Sequence, residues 1–209
     1  MNGDRPDQWT PFSDTARAGD RDALKKPVFE LNRQCVDLLV TAAAAETPEL
    51  RLARQFQGPL RRLSLEARGR LAQQFYLLVD IRFTDHAWWR AALKHPTSAP
   101  LSAQAAFPKT PAIQMGRAAV LFLRHATELF GAEASFFGAH PSVLQSLSNL
   151  SLNEVDRLTD RFFKEVRPRW ENRPAVWLSL IQSASTSSLR AKRDVDLRGL
   201  QLLVSQLLE

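Results

Sequence analysis

The run Leu63-Ser64-Leu65 opens a pattern that returns at Leu150-Ser151-Leu152, and the two stretches align without a gap at an offset of 87 residues. Arg70 meets Arg157, Leu71 meets Leu158, Phe75 meets Phe162, Val79 meets Val166, Arg82 meets Arg169 and Phe83 meets Trp170. Trp89 and Trp177 follow at similar distances. Upstream, Leu31-Asn32-Arg33 and Val36 match Met115-Gly116-Arg117 and Val120 at an offset of 84. These identities fall at a cap position, at apolar positions of helical spacing and at an Arg-aromatic ending, which periodicity alone does not make two helices share. The pattern predicts an internal duplication, whose two copies pack in one chain as the subunits of a homodimer would.

The local signals give each copy the same order of elements. Val28 to about Ala45 carries Leu31, Val36, Leu38, Leu39 and Val40 at helical spacing and ends near Thr47-Pro48. A short helix from about Glu49 to Phe56 stops at Gly58-Pro59. Ser64 is placed to cap the next helix, its hydroxyl accepting an orphan N–H, and Ile81-Arg82-Phe83 ends an alternating run that reads as a short half-buried strand. In the second copy Ile113 to Phe130 is a helix closed by Gly131, and Gly138-Ala139-His140-Pro141 breaks the next piece. Ser151 and Glu154 have the spacing of a capping box, with Leu150 and Val155 placed as its hydrophobic staple. The expected architecture is all-α, mainly helical with short β-strands. Residues 1–26 form a flexible polar tail, 27–93 the first repeat, 94–110 a Pro-rich linker, 111–180 the second repeat and 181–209 a C-terminal amphipathic helix region.

Composition excludes several classes. A single cysteine, Cys35, makes no internal disulfide, and with four scattered histidines it builds no zinc site of the usual spacing. The sequence holds no Gly-rich phosphate loop, no His-Glu-x-x-His and no Gly-x-Ser-x-Gly, so no enzyme, cofactor or metal centre is expected. Asp156 and Asp160, four apart on one helix face, read as solvated partners of Arg157, Arg161 and Lys164. His125 and His140 flank helix ends, and Cys35 reads as a buried small hydrophobe. No stretch approaches the roughly 20 apolar residues of a membrane span, and the polar N-terminus has no signal-peptide core, so a cytoplasmic protein is expected.

The net charge of +6 comes from 28 Lys+Arg against 22 Asp+Glu, and Arg dominates the cations. Arg suits phosphates and acidic protein surfaces, and it stacks on aromatic rings. Two Arg-Trp clusters follow the expected strands: Arg82, Trp88, Trp89 and Arg90, then Arg167, Arg169, Trp170, Arg173 and Trp177. Either these nine residues form a nucleic-acid or partner surface, or the tryptophans close each repeat's core beneath their Arg neighbours. The last segment, Val195 to Leu208, carries an apolar stripe that needs a covering surface, its own repeats first and another chain second.

The repeated order, Leu-Ser at a helix start, Leu on its inner face and a short strand ending in Arg-aromatic, resembles the flagellar transcriptional activator FlhD family. The second copy is nearer, through Ala134-Ser135-Phe136-Phe137-Gly138, Val143, Leu144, Leu147, Leu150-Ser151-Leu152, Leu158 and Arg167-Pro168-Arg169-Trp170. The resemblance covers roughly 113–170 well and 31–83 less closely. It implies a helical, dimer-like transcription regulator that acts at double-stranded DNA with a zinc-binding partner of the FlhC kind. The two copies in one chain, the polar head and the C-terminal helix depart from the family pattern, so autonomous DNA reading is not implied. The other expectation is an adaptor or scaffold in a bacterial secretion or motility apparatus, binding proteins and not DNA, with self-association open to either.

Overall fold

Helix α1 runs from Asp14 to Ala44 and passes through Pro27. The computed structural model describes residues 14–45, 50–95, 102, 104–186 and 188–208, with side chains from Leu24 onward. Residues 14–26, expected as tail, are therefore helical, while 1–13, the helix end at Thr47-Pro48 and most of the linker from Pro96 to Ala103 lie outside the described residues. The helix continues across Pro27 because a buried stripe spans it: Leu24, Val28, Leu31, Cys35 and Leu39 face the core on both sides. Their burial outweighs the backbone bond a proline cannot make.

The chain then forms α2 (Arg51–Gln55), α3 (Gln57–Arg61), α4 (Leu65–Ala72), β1 (Val79–Asp80) and α5 (His86–Lys94). Helix α2 ends at Gln55, close to the stop expected near Phe56, and Gly58-Pro59 sit in the first turn of a new helix, α3, where a missing N–H costs nothing. The second series is α6 (Lys109–Phe130), a 3-10 segment from Gly131 to Phe137, α7 (Pro141–Ser148), α8 (Leu152–Arg161), a 3-10 turn at Phe163–Glu165, β2 (Arg167–Pro168) and α9 (Pro174–Thr186). Helix α10 (Leu189–Leu208) closes the chain. The fold is mainly helical, with 76% helix. Helix α6 begins four residues before Ile113, and α9 runs across the boundary expected at residue 180. Of the linker, Ala106 and Phe107 are buried, so its described end packs on the core.

The strands pair with each other, antiparallel, with Val79 opposite Pro168 and Asp80 opposite Arg167. Beyond each strand the backbone turns through a left-handed residue that is not glycine, Arg82 at φ 48° and Trp170 at φ 56°. Each corner is then locked by an indole: Trp89 Nε1 donates to the Ile81 carbonyl at 3.0 Å, and Trp177 Nε1 donates to the Arg169 carbonyl at 2.8 Å. Corner features thus recur at a spacing of 88, one residue more than the gap-free 87. In geometry Arg82 corresponds to Trp170 and Ile81 to Arg169, which corrects the sequence register at its end. The capped helices keep the 87 spacing, Ser64 Oγ accepting from Ala67 N–H at 3.2 Å and Ser151 Oγ from Glu154 N–H at 3.3 Å. The expected capping box at Ser151 is present.

One hydrophobic cluster extends from Leu24 to Leu203, with α1 packed on α6, α4 on α1 and α8 on α6. Helix α10 covers its own chain: Val195, Gly199 and Leu203 are buried, and Trp170 Nε1 donates to Gln206 Oε1 at 2.8 Å. Gly199 lies flat on Tyr76, where a Cβ would fall 2.2 Å from the hydroxyl oxygen and 2.5 Å from the ring. Gly199→Ala is therefore expected to destabilise the docked helix by about 1–3 kcal/mol. Faster proteolytic loss of the C-terminal segment checks this, and unchanged protection would contradict the contact.

Candidate functional site

The two Arg-Trp clusters are brought to the two corners, but burial divides them. Trp88, Trp89, Trp170 and Trp177 are all buried, with Trp88 edge-on to Phe162 at 4.9 Å and Trp170 against Tyr76 at 5.4 Å. The core-closing alternative describes all four.

Arg169 is also buried, 2% exposed. Its Nε donates to the Leu77 carbonyl at 2.7 Å, and its Nη2 donates to the Gly138 carbonyl at 2.9 Å and to Asp80 Oδ1 at 3.4 Å. Burial lowers the guanidinium's pKa, and the Asp80 carboxylate opposes that shift. Gly138, at φ +101°, makes room for it, since a Cβ there would lie 2.7 Å from the guanidinium. A group enclosed on these sides meets no phosphate, so the surface role expected of Arg169 is replaced by a structural one.

Arg82 and Arg167 are partly exposed, and each is engaged by neighbouring carboxylates and carbonyls. Arg82 lies over the Trp88 ring at 5.5 Å and its Nε donates to Glu165 Oε2 at 2.8 Å. Glu165 is buried and also accepts from Ser102 through its backbone N–H and its hydroxyl. Arg167 pairs with Glu171 at 2.6 Å and donates to the Gln104 carbonyl. Together with Asp80 these groups line a polar cleft of about 480 Å³ over the strands. Arg82 pairs there with Glu165 and Arg167 with Glu171, and Asp80 pairs with Arg169 beneath. Arg90 and Arg173 are exposed, and among the described residues neither forms an ion pair.

Another opening, a groove of about 600 Å³, lies between the end of α5 and α8. Ala92, Leu93, Leu150, Leu158 and Phe162 form its apolar side, and Glu154, Arg157, Asp160 and Arg161 form its charged rim. Asp160 pairs with Lys109 at 3.2 Å, and Asp156 pairs with Arg117. The carboxylates of α8 are thus held by α6, not by the neighbouring Arg157, Arg161 and Lys164, because α6 packs along their face.

Sequence reasoning missed this groove, whose apolar residues are spaced as an ordinary helix face, and it missed Asn32 and Glu165, polar residues whose partners are distant in sequence. Cys35 is buried and its thiol pushed up to about 12 by desolvation, which leaves it inert as a nucleophile at neutral pH. Among the described residues no three His, Cys, Asp or Glu side chains come together as a metal site. No described helix is long and apolar enough to cross a membrane.

No family model, curated protein or solved structure matches the chain.

Proposed function

We propose that the chain is a transcription-regulator subunit built from two FlhD-like repeats, acting at double-stranded DNA together with a protein partner. What carries the reading is the recurrence of one corner: a short strand, a non-glycine left-handed residue and a tryptophan bonded back eight residues, in each half of the chain. Two left-handed non-glycine residues, each costing about 1–2 kcal/mol, are an improbable coincidence at matched places unless both halves descend from one unit. The pairing of β1 with β2 supports the same view, because it joins the halves as a two-fold axis joins subunits. The repeat resembles FlhD in order and motif, and the regulatory role comes from that resemblance.

With Arg169 enclosed, the DNA-contacting cations in this reading are the exposed Arg90 and Arg173 at the corners. Each phosphate contact adds about 0.9 to the slope of log affinity against log salt, so replacing both by Ala is expected to flatten that slope by about 1.8. Filter binding or fluorescence anisotropy at several salt concentrations, on the complex recovered from its host, reads this. An unchanged slope removes these two residues from the DNA surface.

The adaptor reading takes the Trp-rich ends as its interfaces, and the burial of all four corner tryptophans removes that surface from it. It expects partner binding nearly indifferent to salt and no DNA in the complex.

A further inference from the structure

We propose that the outer face of α2 and α3 binds the phosphate backbone of duplex DNA through Arg51, Arg61 and Arg62. This deepens the reading above by giving the DNA a further place on the chain, and it rests on that reading.

Burial and composition set the face together. Leu52, Ala53, Phe56 and Leu60 are buried, and α2, α3 and the residues that flank them leave Arg51, Arg54, Gln55, Gly58, Arg61 and Arg62 exposed. From Leu50 to Leu65 the sequence carries four arginines and no carboxylate. Carboxylates of neighbouring elements are engaged elsewhere: Asp37 pairs with Arg33 and Arg68, Glu66 with Arg70, and Glu171 with Arg167. Glu46 and Glu49 lie outside the described residues. Among the described residues Arg51, Arg61 and Arg62 form no ion pair. The Arg62 guanidinium lies back along α3, 3.5 Å from where a Cβ on Gly58 would stand.

What the face lacks gives the kind of partner. No large apolar residue is exposed between Leu50 and Ser64; the first, Leu65, opens the next helix. A protein interface has an apolar centre and a membrane-surface helix inserts an apolar face, whereas a phosphate backbone asks only for guanidinium and amide donors.

Packing does not call for these arginines. At the spacing of 87 that the caps keep, Phe56, Leu60 and Leu63 correspond to Val143, Leu147 and Leu150, and all six are buried. Arg51, Arg54, Arg61 and Arg62 correspond to Gly138, Pro141, Ser148 and Asn149. The second copy thus keeps the inward residues on α7 and carries none of the cations. Position favours DNA as well. Arg51 lines an opening of about 240 Å³ together with Gln104, Arg167, Glu171 and Asn172, the residue before Arg173. Helix α2 therefore begins beside the second corner, and its face continues toward a cation already assigned to DNA.

The test uses the full chain and a labelled duplex of arbitrary sequence, read by fluorescence anisotropy from about 50 to 200 mM salt. Replacing Arg51, Arg61 and Arg62 together by Gln is expected to flatten the slope of log affinity against log salt by about 2.7, and replacing them by Lys to preserve most of it. Arg193→Gln, an exposed change on α10, should leave the slope unaltered, and an unchanged urea midpoint shows that each variant is folded. An unchanged slope in the Gln variant, or no duplex binding by the parent up to about 100 μM at the lowest salt, overturns the proposal. So does parent binding to phosphatidylserine vesicles or to poly-glutamate as tight as to the duplex, which would assign the face to a membrane or to an acidic protein. Arg90→Ala with Arg173→Ala is measured beside it. A slope that falls for that pair and not for the Gln variant removes the α2–α3 face alone and leaves the DNA reading standing.

Discussion

Arg169→Ala is expected to cost about 3–5 kcal/mol of folding stability, the range for breaking a buried charge pair, against a total of about 5–15 kcal/mol for an ordinary domain. The side chain is the hub of the second corner. Without it the Leu77 and Gly138 carbonyls lose their donor inside the core, Asp80 loses a cation, and the volume of a large side chain is left empty. Arg169→Lys is expected to recover little, because one ammonium does not span two carbonyls and a carboxylate as the planar fork does. The shift of the urea midpoint measures the loss. A variant as stable as the parent, with DNA affinity lowered instead, would put Arg169 back on the surface and undo the corner described above.

A loss of similar size, about 3–5 kcal/mol, is expected for Asn32→Leu. Asn32 is fully buried on α1 and staples the segment after α4: its Nδ2 faces the Ala72, Gln74 and Tyr76 carbonyls at 3.2, 3.2 and 2.8 Å, and its Oδ1 accepts from Leu78 N–H at 2.7 Å. Leucine keeps the volume but strands a buried N–H and several carbonyls, each worth about 1–3 kcal/mol when left unpaired. Asn32→Asp tests the bonding separately from the packing. Its carboxylate would face three carbonyls with no proton to donate, so the folded-state pKa should lie above the unfolded one. A raised pKa makes the variant's stability fall as pH rises through the folded value and recover on acidification. Denaturation midpoints for the variant and parent across pH 4–7 would show this, and an equal pH response in both would remove the carbonyl cluster from the explanation.

The helical class and the caps were legible because they are local. Ser64 and Ser151 cap their helices through bonds to backbone three residues on, a spacing that sequence displays directly. The alternation at Val79–Phe83 marked the burial, with Val79, Ile81 and Phe83 buried and Asp80 and Arg82 only partly so, but the strand expected to run to Phe83 stops at Asp80 because the backbone turns at Arg82. What stayed hidden depends on which element packs on which. The left-handed turns at Arg82 and Trp170 carry no glycine to announce them, so the one-residue difference between cap and corner spacing was invisible.

Nor could an Arg beside a Trp be sorted into surface or core. The difference lies in Gly138 and Leu77, which reach Arg169 from other parts of the chain. A tail ending at residue 26 follows from residues that are polar and lack periodicity, and the buried stripe that carries α1 through them lies on both sides of Pro27.

The central claim, a regulator subunit acting with a protein partner at DNA, is tested most directly by recovering the tagged protein from its native host with and without nuclease and identifying what accompanies it. The account predicts DNA together with a zinc-binding regulator or polymerase, with the DNA lost on nuclease treatment. Recovery of secretion or motility apparatus proteins alone, unchanged by nuclease, would contradict it and make the chain an adaptor.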